Sequence, residues 1–212
     1  MRVLVACEYS GRVRDAFAAL GHYALSCDLL PTEAEGNHYQ GDVSDIINDG
    51  WDLMVAHPPC TDLAVSGARH FAAKIADGRQ QRALDFVQFL MDAPIDRICI
   101  ENPISIISSR IRKPEQIIQP WQFGHPEFKA TCLWLKGLQP LTPVNPLVPP
   151  TKPTGFLTPE EYEIALKEWR GWNRVHQLPP GPNRWKERSR TFEGVAAAMD
   201  DQWGREELKA VA

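Results

Sequence analysis

The chain has little that would hold a small secreted or metal-built protein together. Its five cysteines are an odd number with no Cys-x-x-Cys pair, which fits neither a disulfide framework nor a common zinc site and points to a reducing compartment. No run approaches the roughly 18 apolar residues that a membrane helix needs, so no membrane partner is expected. The chain opens on a strand-like segment, Arg2 to Cys7, rather than on a charged stretch followed by a cleavable apolar run. No leader is expected, and the cytoplasm is the expected location. An excess of positive charge is also missing. The net charge of −4 argues against a long DNA-tracking surface, because counterion release needs clustered Lys and Arg, but it leaves room for a local basic patch. Internal repeats are absent.

What is present supports one substantial core. With 212 residues and 43% hydrophobic content, length favours one domain with a small appendage. Strand-like runs at about residues 2–7, 22–27, 52–57, 97–101 and 131–135 alternate with helical patterns, the signature of a mostly parallel sheet covered by helices. Val13, Phe17 and Leu20 recur at helical spacing before Gly21, a helix stop. Ala83, Phe86, Val87, Leu90 and Met91 form a second apolar stripe. From Pro140 to Pro159 the chain spends seven of its eighteen prolines, so an extended linker or wrapping arm is expected there. Thr158-Pro159-Glu160-Glu161 then supplies an N-cap, a first-turn proline and a capping-box acid, with Tyr162, Leu166 and Trp169 on one face. A last helix is expected near 191–203, with Val195, Met199 and Trp203 aligned.

Chemistry concentrates at residues 51–60, where an apolar strand runs into Pro58 and Pro59 and presents Cys60 just beyond. The other cysteines, Cys7, Cys27, Cys99 and Cys132, lie within or at the end of strand-like runs, where thiols act as small buried hydrophobes. A second strand ends in Glu101-Asn102-Pro103. A thiol and a carboxyl group therefore meet at one rim if the two strands share a sheet. A hydrolase reading lacks a partner for the cysteine: His57 lies only three residues before it, and no motif places a second histidine.

Pro58-Pro59-Cys60 and Glu101-Asn102 resemble the nucleophile and base-holding motifs of the C5-cytosine DNA methyltransferases, and the resemblance extends over roughly the first 140 residues and the last 20. It implies a Rossmann-like α/β fold and a short, phage-like enzyme that uses S-adenosylmethionine and no metal. Cytosine C5 is a poor nucleophile. The family adds a cysteine thiolate to C6, which pushes electron density to C5 and lets it take a methyl group, splitting one hard step into easier ones. By resemblance Cys60 is that nucleophile, and it needs an electropositive setting to supply thiolate. Glu101 holds the N3 and N4 edge of the base. Asn102, with Pro59, shapes the substrate loop, since asparagine readily mimics backbone hydrogen bonds.

The donor is expected beyond the carboxyl ends of the strands. The loop Cys7-Glu8-Tyr9-Ser10-Gly11 lies there, although the family has a phenylalanine and more glycines at that position. Glu8, Tyr9, Ser10, Gly11 and Pro58 are its expected contacts. Asp28 matches the acid that takes the ribose hydroxyls, and Asp42 the one that contacts the adenine amine. Lys129 stands where the family has a Gln-x-Arg-x-Arg motif whose arginines are absent here, and Arg190 to Val195 stand where its Gly-Asn-Ser loop returns to the cofactor. Arg170, Arg174, Arg184, Lys186, Arg188 and Arg190, interleaved with Trp172 and Trp185, face a single acid, Glu187. Such a stretch binds phosphates and bases or forms a solvated loop packed on its tryptophans. Arg188 and Arg190 are its candidate substrate contacts.

The division expected is a catalytic core at 1–139, a proline-rich arm and reduced target-recognition insert at 140–190, and a helix at 191–212 that returns to the core. Family members that read duplex DNA must grip it while the cytosine flips out. With so small an insert, the partner is either DNA read with little sequence dependence or a free cytosine nucleotide, possible too with an altered sulfonium donor. A non-catalytic nucleotide- or nucleic-acid-binding module is the alternative from another class.

Overall fold

The β-branched run Arg2–Ala6 forms the central strand β1, and its residues 3–6 are wholly buried. In this computed structural model, which describes residues 1–155 and 158–205, it is flanked on both sides by parallel partners. A strand buried on both faces reads as a continuous apolar run. The remaining strands are β2 (Tyr23–Asp28), β3 (His38–Gln40), β4 (Leu53–Ala56), β5 (Arg97–Pro103), β6 (Gln116–Ile118) and β7 (Thr131–Lys136). They make one seven-stranded sheet in the order β3-β2-β1-β4-β5-β7-β6.

The five strands expected from sequence are all present, with ends that shift by a residue or two. β3 and β6, three residues each, were not expected, because segments that short carry no periodicity. The sheet is parallel from β3 to β5, while β7 runs antiparallel to both of its neighbours. The order reverses at β1 and β4: from β1 the chain moves outward to β2 and β3, then returns to the other side of β1. Ligands of open α/β sheets sit at such a switch, beyond the carboxyl ends of the strands.

Helices cover both faces. α1 (Arg12–Ala19) and, much later in the chain, α8 (Glu193–Met199) with its π-helical continuation Asp200–Gly204 bury Val13, Phe17, Val195, Met199 and Trp203 against Val5, Leu53 and Leu133. On the opposite face the expected apolar stripe forms part of a 13-residue helix, Arg79–Met91, whose Val87 and Leu90 pack with Met54, Ile98, Ile100 and Trp134. Between them run two short helices, α2 (Phe71–Ala76) and α4 (Ile107–Arg110), on either side of that longer helix, which is α3.

The proline-rich stretch after β7 is extended and tied down at intervals: Val144 N donates to Gln122 O and Leu147 N to Trp121 O. The capping box expected at Thr158 and Glu161 opens α5 (Pro159–Trp172). Its apolar face is only partly covered: Leu166 and Trp169 are half-buried, Tyr162 is exposed, and no residue of α5 is fully buried. α6 (Arg174–Gln177) and α7 (Arg184–Ser189) complete the chain order before α8. Residues 206–212 of the expected C-terminal segment lie outside the described residues. No helix among those described is long and apolar enough to cross a membrane.

Candidate active site

Three chain segments meet at the carboxyl edge of β4 and β5. The parallel register pairs Ala56 with Ile100, so the next residues stand side by side, His57 just past the end of β4 and Glu101 still within β5, where it pairs with Leu133 of β7. His57 N donates to Ala6 O, which ties the exit of β4 to β1. Pro58 is buried, whereas Pro59 and Cys60 are exposed. The loops after the two strands are laced together. Asn102 Nδ2 donates to Pro58 O at 2.8 Å, Val65 N to Ile104 O, and Ile106 N to Leu63 O. Behind Cys60, the buried Lys74 donates to Thr61 O and pairs with Asp62 at 3.3 Å. A loop this heavily cross-linked fixes where its cysteine stands.

His57 Nδ1 and Glu101 Oε2 are 2.6 Å apart, and their side chains are only 10% and 9% exposed. Burial alone disfavours the imidazolium, but the hydrogen bond and charge of Glu101, helped by Glu8, overcome it and raise the His57 pKa; Lys129 opposes them. Burial likewise works against the Glu101 carboxylate, and His57 together with Lys129 holds its pKa below the usual range. Charge assistance shortens and strengthens such a hydrogen bond. Glu101 also lines a small recess of about 10 Å³ with Lys129, Thr131, Pro120, Thr191 and Phe192.

The electropositive setting expected for Cys60 is present but outweighed. Lys129 and Arg188 both favour its thiolate; although the residue reaches the surface, desolvation of its sulfur by the surrounding protein, then the charge of Glu101, push the pKa the other way, and it ends raised. Cys60, Glu101, Lys129 and Arg188 thus act on one another electrostatically. Lys129 Nζ donates to Arg190 O at 3.1 Å, joining the start of β7 to the end of the basic stretch.

The loop at the switch point is shaped from within. Cys7 adopts a left-handed conformation, with φ 59°. A non-glycine residue held there stores strain, a feature that clusters at functional sites. Glu8, a sequence candidate for a donor contact, is buried and turns both carboxylate oxygens inward: Oε1 accepts from Val13 N and Ser10 Oγ, and Oε2 from Arg14 N. It caps α1. Gly11 has φ 75°, and a Cβ there would collide with the guanidinium of Arg14. Sequence reasoning passed over Arg14, which is buried and binds Ser26, Thr32 and the carbonyls of Ala34 and Glu35. Beside the apolar positions Val13 and Phe17, no local pattern distinguishes a buried arginine from an exposed one.

Asp28 stands half-exposed at the end of β2, its pKa raised mainly by burial although it accepts from Leu30 N. Asp42 is exposed and caps a short turn through Ser44 N. Both raise the pKa of Cys7, whose thiol is pushed up chiefly by burial, and that of Cys27, which reaches about 12. All five cysteines are free; Cys27, Cys99 and Cys132 are buried, and Cys7 is half-buried.

Three of the six cations of the basic stretch are paired within the molecule. Arg174 pairs with Glu127 at 2.5 Å, and Lys186 and Arg190 both pair with Glu33, at 3.4 and 2.6 Å. The guanidinium of Arg190, a sequence candidate for substrate, therefore turns toward the switch-point side rather than toward Cys60, because Glu33 and Glu187 hold it there. Tyr9 Oη lies 3.0 Å from Ser189 Oγ, and its ring packs on Trp185. α7 thus straps the Tyr9 loop, while the neighbouring Arg188 stays within electrostatic reach of Cys60.

Fold and rim together define an α/β protein with a cysteine and a carboxylate at the carboxyl edge of a mostly parallel seven-stranded sheet. No protein-family profile and no curated protein matches the chain. Among solved structures, it is similar to a protein provisionally described as a DNA modification methyltransferase encoded within an E. coli prophage. The TM-score is 0.43 and the identity 16%, over 64% of this chain and 46% of that one, so the match spans about half the length of the other protein.

Proposed function

We propose that this protein is a cytosine C5-methyltransferase of Rossmann-like fold, acting on DNA, with residues 1–139 as its catalytic core, 140–190 as a reduced target-recognition arm and 191–212 as a return to the core. The observation that carries the reading is that Cys60, in the loop after β4, and Glu101, near the end of the adjacent β5, lie within electrostatic reach of each other, with Asn102 lacing the cysteine loop to β5. A binding module needs no nucleophile beside a carboxylate.

In this reading Cys60 Sγ attacks C6 of the base, and Glu101 contacts its N3 and N4 edge. Lys129 and Arg188 offset the negative charge that a thiolate and a carboxylate place together. Asn102 keeps the attacking loop fixed, and Pro59 borders the nucleophile on the substrate side. The residues at the switch point fit a cationic, hydroxyl-bearing donor: Asp28 and Asp42 supply carboxylates close enough to influence Cys7, and the Tyr9–Ser10–Gly11 turn leads into α1. When bound, S-adenosylmethionine supplies an electrophilic methyl group.

A second reading, the same chemistry on a free cytosine nucleotide, is favoured by the internal pairing of Arg174, Lys186 and Arg190, which subtracts three cations from any duplex-binding surface. Incubation with S-adenosylmethionine and 5-fluorocytosine, in duplex DNA and as the nucleotide, tests both. Intact mass is expected to show an adduct on Cys60 with DNA. An adduct with the nucleotide alone moves the assignment to the second reading, and none with either overturns the methyltransferase reading.

A further inference from the structure

The reading of Cys60 and Glu101 leaves one buried titratable group without a task. His57 lies three residues before Cys60, and a hydrolytic dyad would need it to face that cysteine. In the fold it faces Glu101 instead. Among the described residues Glu101 accepts a hydrogen bond from His57 alone, through Oε2. Its other oxygen accepts no such bond from them and remains for a ligand. His57 is anchored by its backbone to β1, and its second ring nitrogen, Nε2, is buried without a hydrogen-bond partner in the described residues. The hydrogen-bonded route for a proton of this ring therefore runs through Glu101. The charged and titratable groups that act on it come from four elements: Glu101 on β5, Glu8 in the loop after β1, Asp28 at the end of β2, and Lys129 before β7.

We propose that His57 is a positioning residue that holds Glu101 by one oxygen and supplies the proton that Glu101 delivers to N3 of cytosine. The inference rests on the cytosine reading above. At rest His57 is an imidazolium, protonated on both Nδ1 and Nε2 with the Nδ1 proton on the bond to Glu101, and Glu101 is a carboxylate. As the Cys60 thiolate forms its bond to C6, the C5=C6 electron pair moves to C4–C5 and the C4=N3 pair moves onto N3. The Nδ1 proton passes to Glu101, and Glu101 gives a proton to N3. The adduct is then neutral, and the negative charge that began on sulfur rests on the carboxylate beside a neutral imidazole. One proton moves, and no electrons enter or leave. When the thiolate departs, the proton returns along the same path.

His57→Gln and Glu101→Gln separate this role from a structural one. Glutamine at 57 still donates to Glu101 but has no proton to give up. Proton transfer by a positioned group is worth about 100-fold or more, so adduct formation on 5-fluorocytosine DNA is expected to slow by about 100-fold in His57→Gln, with substrate affinity retained. The alkaline fall of the wild-type pH profile is expected to disappear. In a second arm without substrate, NMR of isotope-labelled histidine is expected to show His57 as imidazolium at neutral pH in the wild type and as neutral imidazole in Glu101→Gln. A glutamine variant that keeps the wild-type rate and pH profile overturns the proposal, as does a His57 that is neutral in the wild type at neutral pH. A wild type that forms no adduct overturns the cytosine reading and takes the N3 delivery with it. The NMR arm then still reports whether His57 and Glu101 share their proton, so the two failures are distinct.

Discussion

His57 and Glu101, 44 positions apart in the chain, form a buried ion pair with Nδ1 and Oε2 separated by 2.6 Å. Each partner shifts the other toward its charged form, and the two shifts bound the pH range in which the pair stabilises the fold. The His57 pKa is raised, so its contribution is complete below the ordinary value of 6.5 and is lost as pH rises through the higher folded value. The Glu101 pKa is lowered, so its contribution is complete above the ordinary 4.5 and is lost as pH falls through the lower folded value. Between 4.5 and 6.5 the pair contributes in full. Breaking a buried pair by removing one partner typically costs about 3 kcal/mol or more. Glu101→Ala is therefore expected to lose about 3 kcal/mol of unfolding free energy at mildly acidic pH, and the gap to wild type is expected to narrow as pH rises through the His57 transition. Urea unfolding of both proteins across that range measures it.

The balance around Cys60 makes a prediction about its reactivity. Burial and the charge of Glu101 raise the thiol pKa, while Lys129 and Arg188 oppose them. Only the thiolate reacts with an alkylating agent. The rate of Cys60 alkylation is expected to climb with pH and to reach half its maximum above the ordinary cysteine value. Lys129→Ala is expected to move that midpoint higher still, and Glu101→Gln to move it lower. Iodoacetamide labelling followed by peptide mass measurement reads all three midpoints.

Asn102 lies behind the nucleophile rather than in front of it. Its side chain is buried, and Nδ2 reaches Pro58 O at 2.8 Å, two residues before Cys60. Removing the donor leaves a buried carbonyl unsatisfied, at a cost of about 1–3 kcal/mol. Asn102→Ala is expected to lose stability in that range and to slow Cys60 adduct formation, while the midpoint of Cys60 alkylation stays within the wild-type range because no charge has changed. A shifted midpoint would instead mean that Asn102 acts on the thiol electrostatically.

The sequence made the rim legible and left the groups behind it hidden, for physical reasons. Apolar strand runs leading into Pro-Cys and Glu-Asn announce that both lie at the end of such a run, although β5 continues through Pro103 by pairing with β7, and strands as regular as β4 and β5 are readable from composition. Which residues then stand side by side depends on register. Once Ala56 is known to pair with Ile100, the neighbours His57 and Glu101 follow, but no local pattern supplies that register. β3 and β6 are held by pairing with longer strands rather than by any periodicity of their own. The basic stretch looked available for phosphates because its neutralising acids, Glu33 and Glu127, lie far away in sequence. The apolar face of α5 was correctly read as a face, but how much of it is covered depends on tertiary packing alone.

Gly11 joins the fold to the switch-point loop through a contact with Arg14, which makes its replacement informative. Its φ of 75° is left-handed, and an added Cβ would meet the Arg14 guanidinium, whose other atoms are held by Ser26, Thr32, Ala34 and Glu35. Gly36, also at positive φ, is pressed against the same guanidinium. A side chain at position 11 therefore faces both a backbone penalty and a rigid neighbour. Strained backbone costs about 1–3 kcal/mol, and the hydrogen bonds of Arg14 resist its yielding. Gly11→Ala is expected to destabilise the protein by about 2 kcal/mol or more. Because Glu8 caps α1 through Val13 and Arg14, moving Arg14 also disturbs the Glu8–Gly11 turn. S-adenosylmethionine binding, followed by calorimetry at a temperature where the variant remains folded, is expected to weaken. If the donor sits at this loop, Gly11→Ala lowers its affinity while Asn102→Ala, on the other side of the rim, leaves it intact; equal affinities in both variants would move the donor site away from α1.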